Sequence, residues 1–200
     1  MTSDGLHAPA APVQDLRSFR VPPGFRGRSA AAVQLWWLAQ GILFGLSPQI
    51  AFGWRRGLLR LFGARIGKGV LLRPSVRVTY PWKVSIGDYA WVGDDVVLYS
   101  LGEIVIGANA VISQNSYLCT GSHDYTKPEF PIFAKPVRVE DEAWLASDVF
   151  VAPGVTIGRG AVVASRSSVY ADLPPMMVCQ GSPARPIRPR LAGRLDEAIG

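Results

Sequence analysis

The 200-residue chain is predicted to be all-β, a parallel β-helix with an N-terminal helical extension. Three observations predict it. An aliphatic residue recurs every six positions from Ile66 onward, two-residue insertions fall at the same corner in successive turns, and the apolar run before Ile66 does not follow that period.

Composition sets the frame. With 48% apolar residues the chain has enough material for one buried core and is not a disordered segment. Lys and Arg number 21 against 15 acids, for a net charge of +6, and seventeen of the cations are arginines. Arginine suits planar anions such as phosphate and carboxylate, so a phosphorylated cofactor, anionic lipid or nucleic acid all fit the charge. Cys119 and Cys179 stand sixty residues apart without a cleavable secretory signal, which favours a reducing compartment and a reading of both as small buried hydrophobes.

Residues 1–24 are rich in Ala, Pro and Ser and are expected to form a loosely ordered lead-in. Residues 25–63 form the helical extension. Its uncharged stretch SAAAVQLWWLAQGILFGLSPQIAFGW is long enough to cross a bilayer, but Pro48, three glutamines and three glycines count against that. Two readings remain beside a crossing. The stretch is a helix broken near Pro48 and packed on the main domain, or it lies at a membrane interface with Trp36 and Trp37 in the headgroups and Arg26, Arg28, Arg55, Arg56 and Arg60 meeting anionic lipid.

Residues 64–188 form the repeat domain. Its units open at Ile66, Leu72, Val78, Ile86, Val92, Leu98, Ile106, Ile112, Leu118, Val139, Leu145, Val151, Ile157, Val163 and Val169. Each opener is expected to point inward. Three units close one triangular turn, and stacked turns bury an aliphatic column. Small second residues such as Gly87 and Gly107 belong where a side chain would clash. The step from Leu118 to Val139 leaves fifteen residues beyond one unit, so residues 124–138 are expected to protrude as a loop, and solenoid loops are where binding concentrates. Residues 189–200 read as a tail.

The units IGKGVL, VGDDVV, IGANAV, VAPGVT and IGRGAV resemble those of the hexapeptide-repeat transferases, over about residues 66–188. The stretches LCTGSHDYTKPEFP, EAWLASDVFVAPGVTIGRGAVV and LPPMMVCQGSPARPI resemble the maltose, galactoside and nodulation acetyltransferase branch. The segments QLWWLAQ, LSPQIAFGWRRGLLRLFGARIGKG and TYPWKVSIGDYAWVGDDVVLY are similar to the colanic acid biosynthesis acetyltransferases. The resemblance implies a left-handed coil, which the spacing does not determine. It also implies a homotrimer with acetyl-CoA bound between neighbouring prisms, and direct O-acetylation of a saccharide in exopolysaccharide synthesis.

Carried over residue by residue, the resemblance makes His123 the catalytic base. Asn115 falls near an acceptor-holding position. Trp144 and Ser147 match the pantetheine and acetyl end of the cofactor groove, Ser165 and Arg166 match the next cofactor-facing corner, and Arg185 and Arg188 match positions that meet CoA phosphates. One departure is plain: many relatives carry Thr-Lys-Asp where this chain has Tyr170, Ala171 and Asp172, so Arg166 is expected to replace the missing lysine.

The residues support parts of this independently. A sugar hydroxyl is too weak an acid to attack a thioester at neutral pH, and His123 is the one imidazole in the repeat region, the other histidine being His7. Asp124 or a backbone carbonyl is left to orient the ring, unless Asp124 caps the loop turn instead. Trp144 reads equally as surface covered by the loop. Asn115 reads equally as a corner residue that tolerates left-handed angles. Three zinc-binding histidines are lacking, which excludes a γ-type carbonic anhydrase, and no metal is expected. The remaining alternatives are acetylation of an antibiotic or other xenobiotic and a non-catalytic scaffold on a membrane surface. The expected partners are a saccharide acceptor, two further copies of the chain and a peripheral membrane, with no nucleic acid. The expected location is the cytoplasm, at the inner face of the membrane if the extension is interfacial.

Overall fold

All fifteen openers are buried, and each of the first twelve lies in register with the opener of the next turn. The computed structural model describes residues 12–192. Its strands form three parallel faces. The first holds Arg65–Ile66, Val84–Ile86, Ile104–Ile106, Val137–Val139 and Thr156–Ile157. The second holds Leu71–Leu72, Trp91–Val92, Val111–Ile112, Trp144–Leu145 and Val162–Val163, and ends in the hairpin Met177–Gly181 and Ala184–Pro189. The third holds Arg77–Val78, Val97–Tyr99, Tyr117–Cys119, Phe150–Val151 and Ser168–Val169. The column on the second face runs Leu72, Val92, Ile112, Leu145 and Val163 and closes on buried Cys179. Cys119 is only half-buried, and both thiols are free.

The six-residue unit sets how closely the turns approach. A Cβ on Gly107 would lie 2.4 Å from the backbone nitrogen of Asp141, and one on Gly87 would lie 2.5 Å from that of Ala108. The requirement is steric, since neither residue has a positive φ. Between turns, the buried Ser116 hydroxyl donates to the Ala146 carbonyl and accepts from the Val149 amide.

The extension forms two helices, α1 (Ala30–Ala39) and α2 (Phe52–Leu61). α1 begins on the Ser29 side chain, which accepts from Ala32 N–H, and runs on through a π-turn at Gln40–Phe44. The chain then turns through Pro48 into α2, so the break falls where proline removes a donor. Val33, Trp36, Ala39 and Phe44 form the inner side of the first helical run. Among the described residues, no helix is long and apolar enough to cross a membrane.

The two helices close the open edge of the first turn. Val78 N–H donates to Gln40 Oε1 at 2.6 Å, and Val78 C=O accepts from Trp36 Nε1 at 2.7 Å. Arg55 is fully buried, donating to the Leu72 and Pro48 carbonyls, the Gln49 carbonyl and Ser47 Oγ. Arg56 donates to the Val70 carbonyl and Arg60 to the carbonyls of Ile66 and Gly67. This corrects the expectation that these three arginines face lipid as flanking charges. Their guanidinium groups satisfy strand carbonyls that stacking leaves without a partner.

Three boundaries also differ from expectation. Residues 12–24 are not a loose lead-in: Asp15 caps a 3₁₀ turn at Leu16–Ser18, and its N–H donates to the Pro128 carbonyl at 2.7 Å. Single aromatics and backbone hydrogen bonds fix this arm, so it shows no apolar period. The protrusion starts earlier and ends sooner than residues 124–138, because Gly121–His123 pairs antiparallel with Ile132–Ala134 while Val137 and Arg138 already lie on the first face. The expected tail is strand as far as Pro189, and Arg190 donates to the Glu142 and Gly160 carbonyls. His7 and Arg194 lie outside the described residues.

Steric crowding and open space predict opposite outcomes for two substitutions. Gly107→Ala should cost about 1–3 kcal/mol by forcing adjacent turns apart. Gly57→Ala, at a helix position with open space, should gain about 0.5–1 kcal/mol. Chemical denaturation of the two variants tests this, and an undiminished Gly107→Ala midpoint contradicts the close-packed corner.

Candidate active site

His123 ends the first strand of the loop hairpin, opposite Ile132. Its Nδ1 lies 2.9 Å from the Phe130 carbonyl oxygen. A carbonyl only accepts, so in the neutral ring Nδ1 carries the proton and Nε2 keeps its lone pair. The ring is half-buried between two aromatics. Phe130 stacks on it with centroids 4.2 Å apart at 9°, and Phe19 from the N-terminal arm meets it at 5.7 Å and 51°. Phe130 itself has φ 49°, and its N–H donates to the Lys127 carbonyl, so a tight loop turn presents the carbonyl that faces the imidazole.

Asp124 does not orient this ring. Its Oδ1 accepts from the Thr126 hydroxyl at 2.6 Å and from Thr126 N–H at 3.1 Å, while Lys127 lies 3.5 Å from Oδ2. The Thr126 hydroxyl, then the Thr126 amide, hold the carboxyl below its ordinary pKa. Sequence adjacency left both roles open for Asp124, and the structure gives it the turn cap and a backbone carbonyl the ring contact.

The other expected residues gather elsewhere. A cavity of about 1000 Å³ lies over the second face, lined by Trp91, Val111, Trp144 and Asn115 among others, from Phe52 of α2 to Arg190. Trp91 and Trp144 stand on either side of Val111 on the outward side, each just before a buried opener. The Trp144 indole donates to Ser113 Oγ at 3.0 Å. Asn115 sits at φ 61° in the corner after this face and lines the cavity.

That corner stacks from turn to turn. The Asp148 amide donates to the Gln114 carbonyl and the Arg166 amide to the Ser147 carbonyl, so Asn115, Ser147, Ser165 and Arg166 share one edge of the prism. Arg166 is exposed at φ 60°, with Nε 3.6 Å from Asp148. Arg185 and Arg188 are exposed on the last strand, opposite Gln180 and Val178.

One chain therefore does not bring the two sets together. His123 leaves the edge that follows the third face, whereas Asn115, Ser147 and Arg166 lie on the edge that precedes it. The aromatics Tyr99, Tyr117, Phe150 and Tyr170 stand between these edges. Sequence reasoning missed Phe19, Phe130, Trp91 and Arg190. Trp91 was accessible from register, because it occupies the same place in its unit as Trp144. Phe19 gave no signal, since its contact spans about a hundred residues. Among the described residues there is no cluster of His, Cys, Asp and Glu able to hold a metal.

No family profile matches the chain. Individual proteins do. It is 62% identical over 179 residues to the protein named "Putative colanic acid biosynthesis acetyltransferase WcaF" of Escherichia coli (strain K12), covering 90% of this chain and 98% of that one. It is 28% identical to the galactoside O-acetyltransferase of the same organism, over 67% of this chain and 68% of that one. Among solved structures it matches a hexapeptide-repeat acetyltransferase from Vibrio cholerae O1 biovar eltor, in complex with acetyl-CoA, at 28% identity and a TM-score of 0.74 over 82% of this chain and 91% of that one.

The contacts of the N-terminal arm predict that removing residues 1–24 loosens the loop hairpin. Hydrogen exchange at Gly121–Ala134 should accelerate while Val162 and Val163 keep their protection. Unchanged exchange in the hairpin contradicts a buttressing role for the arm.

Proposed function

Because the chain belongs to the hexapeptide-repeat acetyltransferases, whose fold is the left-handed parallel β-helix, we propose that it transfers acetyl from acetyl-CoA to a saccharide hydroxyl with His123 as general base. The observation that carries this reading is the contact between His123 Nδ1 and the Phe130 carbonyl, which leaves Nε2 as the proton acceptor. The fit to the nucleotide co-substrate rests on an open, mostly apolar groove beside Trp144 and on exposed Arg185 and Arg188, whose guanidinium groups suit phosphates.

Acetyl-CoA supplies an activated acyl carbon and a thiolate leaving group. His123 Nε2 takes the acceptor's proton as the hydroxyl oxygen bonds to the acyl carbon. The same nitrogen returns that proton to the departing sulfur, and the imidazole ends neutral. Asn115 holds the acceptor; Ser147, Ser165 and Arg166 line the donor's path along their shared edge. Asp124 serves the turn, and the Phe130 carbonyl takes over the orienting role.

His123 and the Trp144 groove lie on different edges, so a complete site needs two chains, and a closed ring of three supplies each edge with its counterpart. The acceptor class, a saccharide built into an exopolysaccharide, is supported by the relatives' names. A reaction that draws on acetyl-CoA fits the cytoplasm, where that thioester is made.

His123→Asn should lower turnover by about 10²- to 10⁴-fold while acetyl-CoA binding and the oligomer persist. Asp124→Asn, which keeps an acceptor for the turn, should stay far closer to the parent. A His123→Asn enzyme retaining a third of its turnover or more would point to a scaffold rather than a catalyst.

The shared site has its own test. Light scattering should return three times the 21.6 kDa chain mass. Mixed oligomers of His123→Asn and Trp144→Ala chains should regain activity that neither variant has alone. A monomer with full turnover refutes the shared site.

A further inference from the structure

The outer side of the helical cap is apolar, exposed and turned away from the first turn of the solenoid. Leu35, Leu38 and Ile42 occupy the side of the first helical run opposite Trp36 and Phe44. Leu46 and Ile50 in the following turn are 78% and 86% exposed, and Leu61 at the end of α2 is 80% exposed. Scattered exposed leucines are ordinary, but a contiguous set on one end of a molecule marks a contact surface.

Charge selects what that surface meets. Residues 16–87, which include the whole cap and the first turn, carry twelve Lys and Arg and no acid at all, whereas the rest of the chain carries nine cations and fifteen acids. Capping does not remove this charge. Arg17, Lys68 and Arg73 pair with Asp15, Asp88 and Asp94 from outside the segment, but Arg56 and Arg60 bond to neutral carbonyls, and Arg65 bonds to Ser85 Oγ. Arg28 lies beside the start of the first helical run, with its guanidinium against Gly63 and 6.0 Å from the Trp82 ring centre.

We propose that this cap is a peripheral docking surface for an anionic lipid bilayer, with the apolar side chains entering the headgroup boundary and the exposed Arg26 and Arg28 meeting lipid phosphates. Helices of this length lie on a bilayer and do not span it. The observations favour lipid over a second copy. A two-fold contact would press two predominantly cationic surfaces together, and a head-to-tail contact would set the cap against the end that carries Arg185, Arg188 and Arg190. The surface goes beyond the acetyl-transfer reading and does not depend on it.

Flotation of the full-length protein with vesicles of phosphatidylglycerol and phosphatidylcholine tests the proposal, with pure phosphatidylcholine vesicles as the comparison. The protein should float with the mixed vesicles, remain below with the neutral ones, and detach as salt rises. Leu38→Glu with Leu46→Glu should abolish flotation. Arg26→Glu with Arg28→Glu should weaken it by at least about tenfold. Both variants should keep the parental melting temperature and mass, which separates loss of docking from loss of fold. Equal flotation with neutral vesicles overturns the proposal, as does flotation with neither. If Leu38→Glu with Leu46→Glu instead dissociates the parental oligomer, the surface is an interface between copies and the proposal fails.

Discussion

A stack of parallel strands ends in unpaired backbone, and the need to satisfy those groups governs how this chain begins and finishes. At the N-terminal end the answer comes from side chains. Trp36, Gln40, Arg55, Arg56 and Arg60 reach from two helices to the strand groups of the first turn. At the other end it comes from backbone, where Met177–Gly181 joins the second face in parallel and Ala184–Pro189 folds back antiparallel. Arg55 shows what this demands: a cation with no exposed surface, its pKa lowered first by burial and then by Arg73, held by oxygens of Leu72, Ser47, Pro48 and Gln49. A lysine in its place would offer a single point charge where a fork of donors is needed.

Between these ends the solenoid acts as a ruler. Its faces are straight and its corners repeat, so residues at equivalent places in successive units line up without further design. Trp91 and Trp144, or Asn115 and Asp148, are positioned by register alone. The histidine is positioned differently. It stands on a hairpin outside the repeat, and its orientation comes from Phe130 within that hairpin and Phe19 from the far end of the sequence. Rigid groove and separately braced base are thus built by two kinds of interaction, repeating backbone pairing and a small aromatic cluster.

That division explains what the sequence revealed. The column of openers was readable because each obeys one spacing and every one is buried for the same reason. The corner glycines were readable because a missing side chain at a fixed phase has a direct steric meaning. The capping arginines stayed undecided between lipid and the main domain, since a cation flanking an apolar run looks alike whether it meets phosphate or a carbonyl. The arm at residues 12–24 was misread because order there depends on the Asp15 to Pro128 backbone bond and on Phe19, neither of which leaves a local pattern. For Asp124 the two candidate roles were both visible, and Thr126, two residues on, decided between them.

The spacing between paired strands also bears on how the molecule is made. Ile66 pairs with Ile86 and Ile86 with Ile106, each twenty residues on, so a new turn finds its template in the chain just synthesised. The helical lid emerges first and seals the starting edge, leaving a growing edge at the other end that accepts each turn as it leaves the ribosome. Only the step from Ile106 to Val139 interrupts this, since the loop hairpin must close before the first face resumes. A chain made in this order can add its turns onto an end already sealed, and the second face keeps an open edge until the terminal hairpin folds back over it.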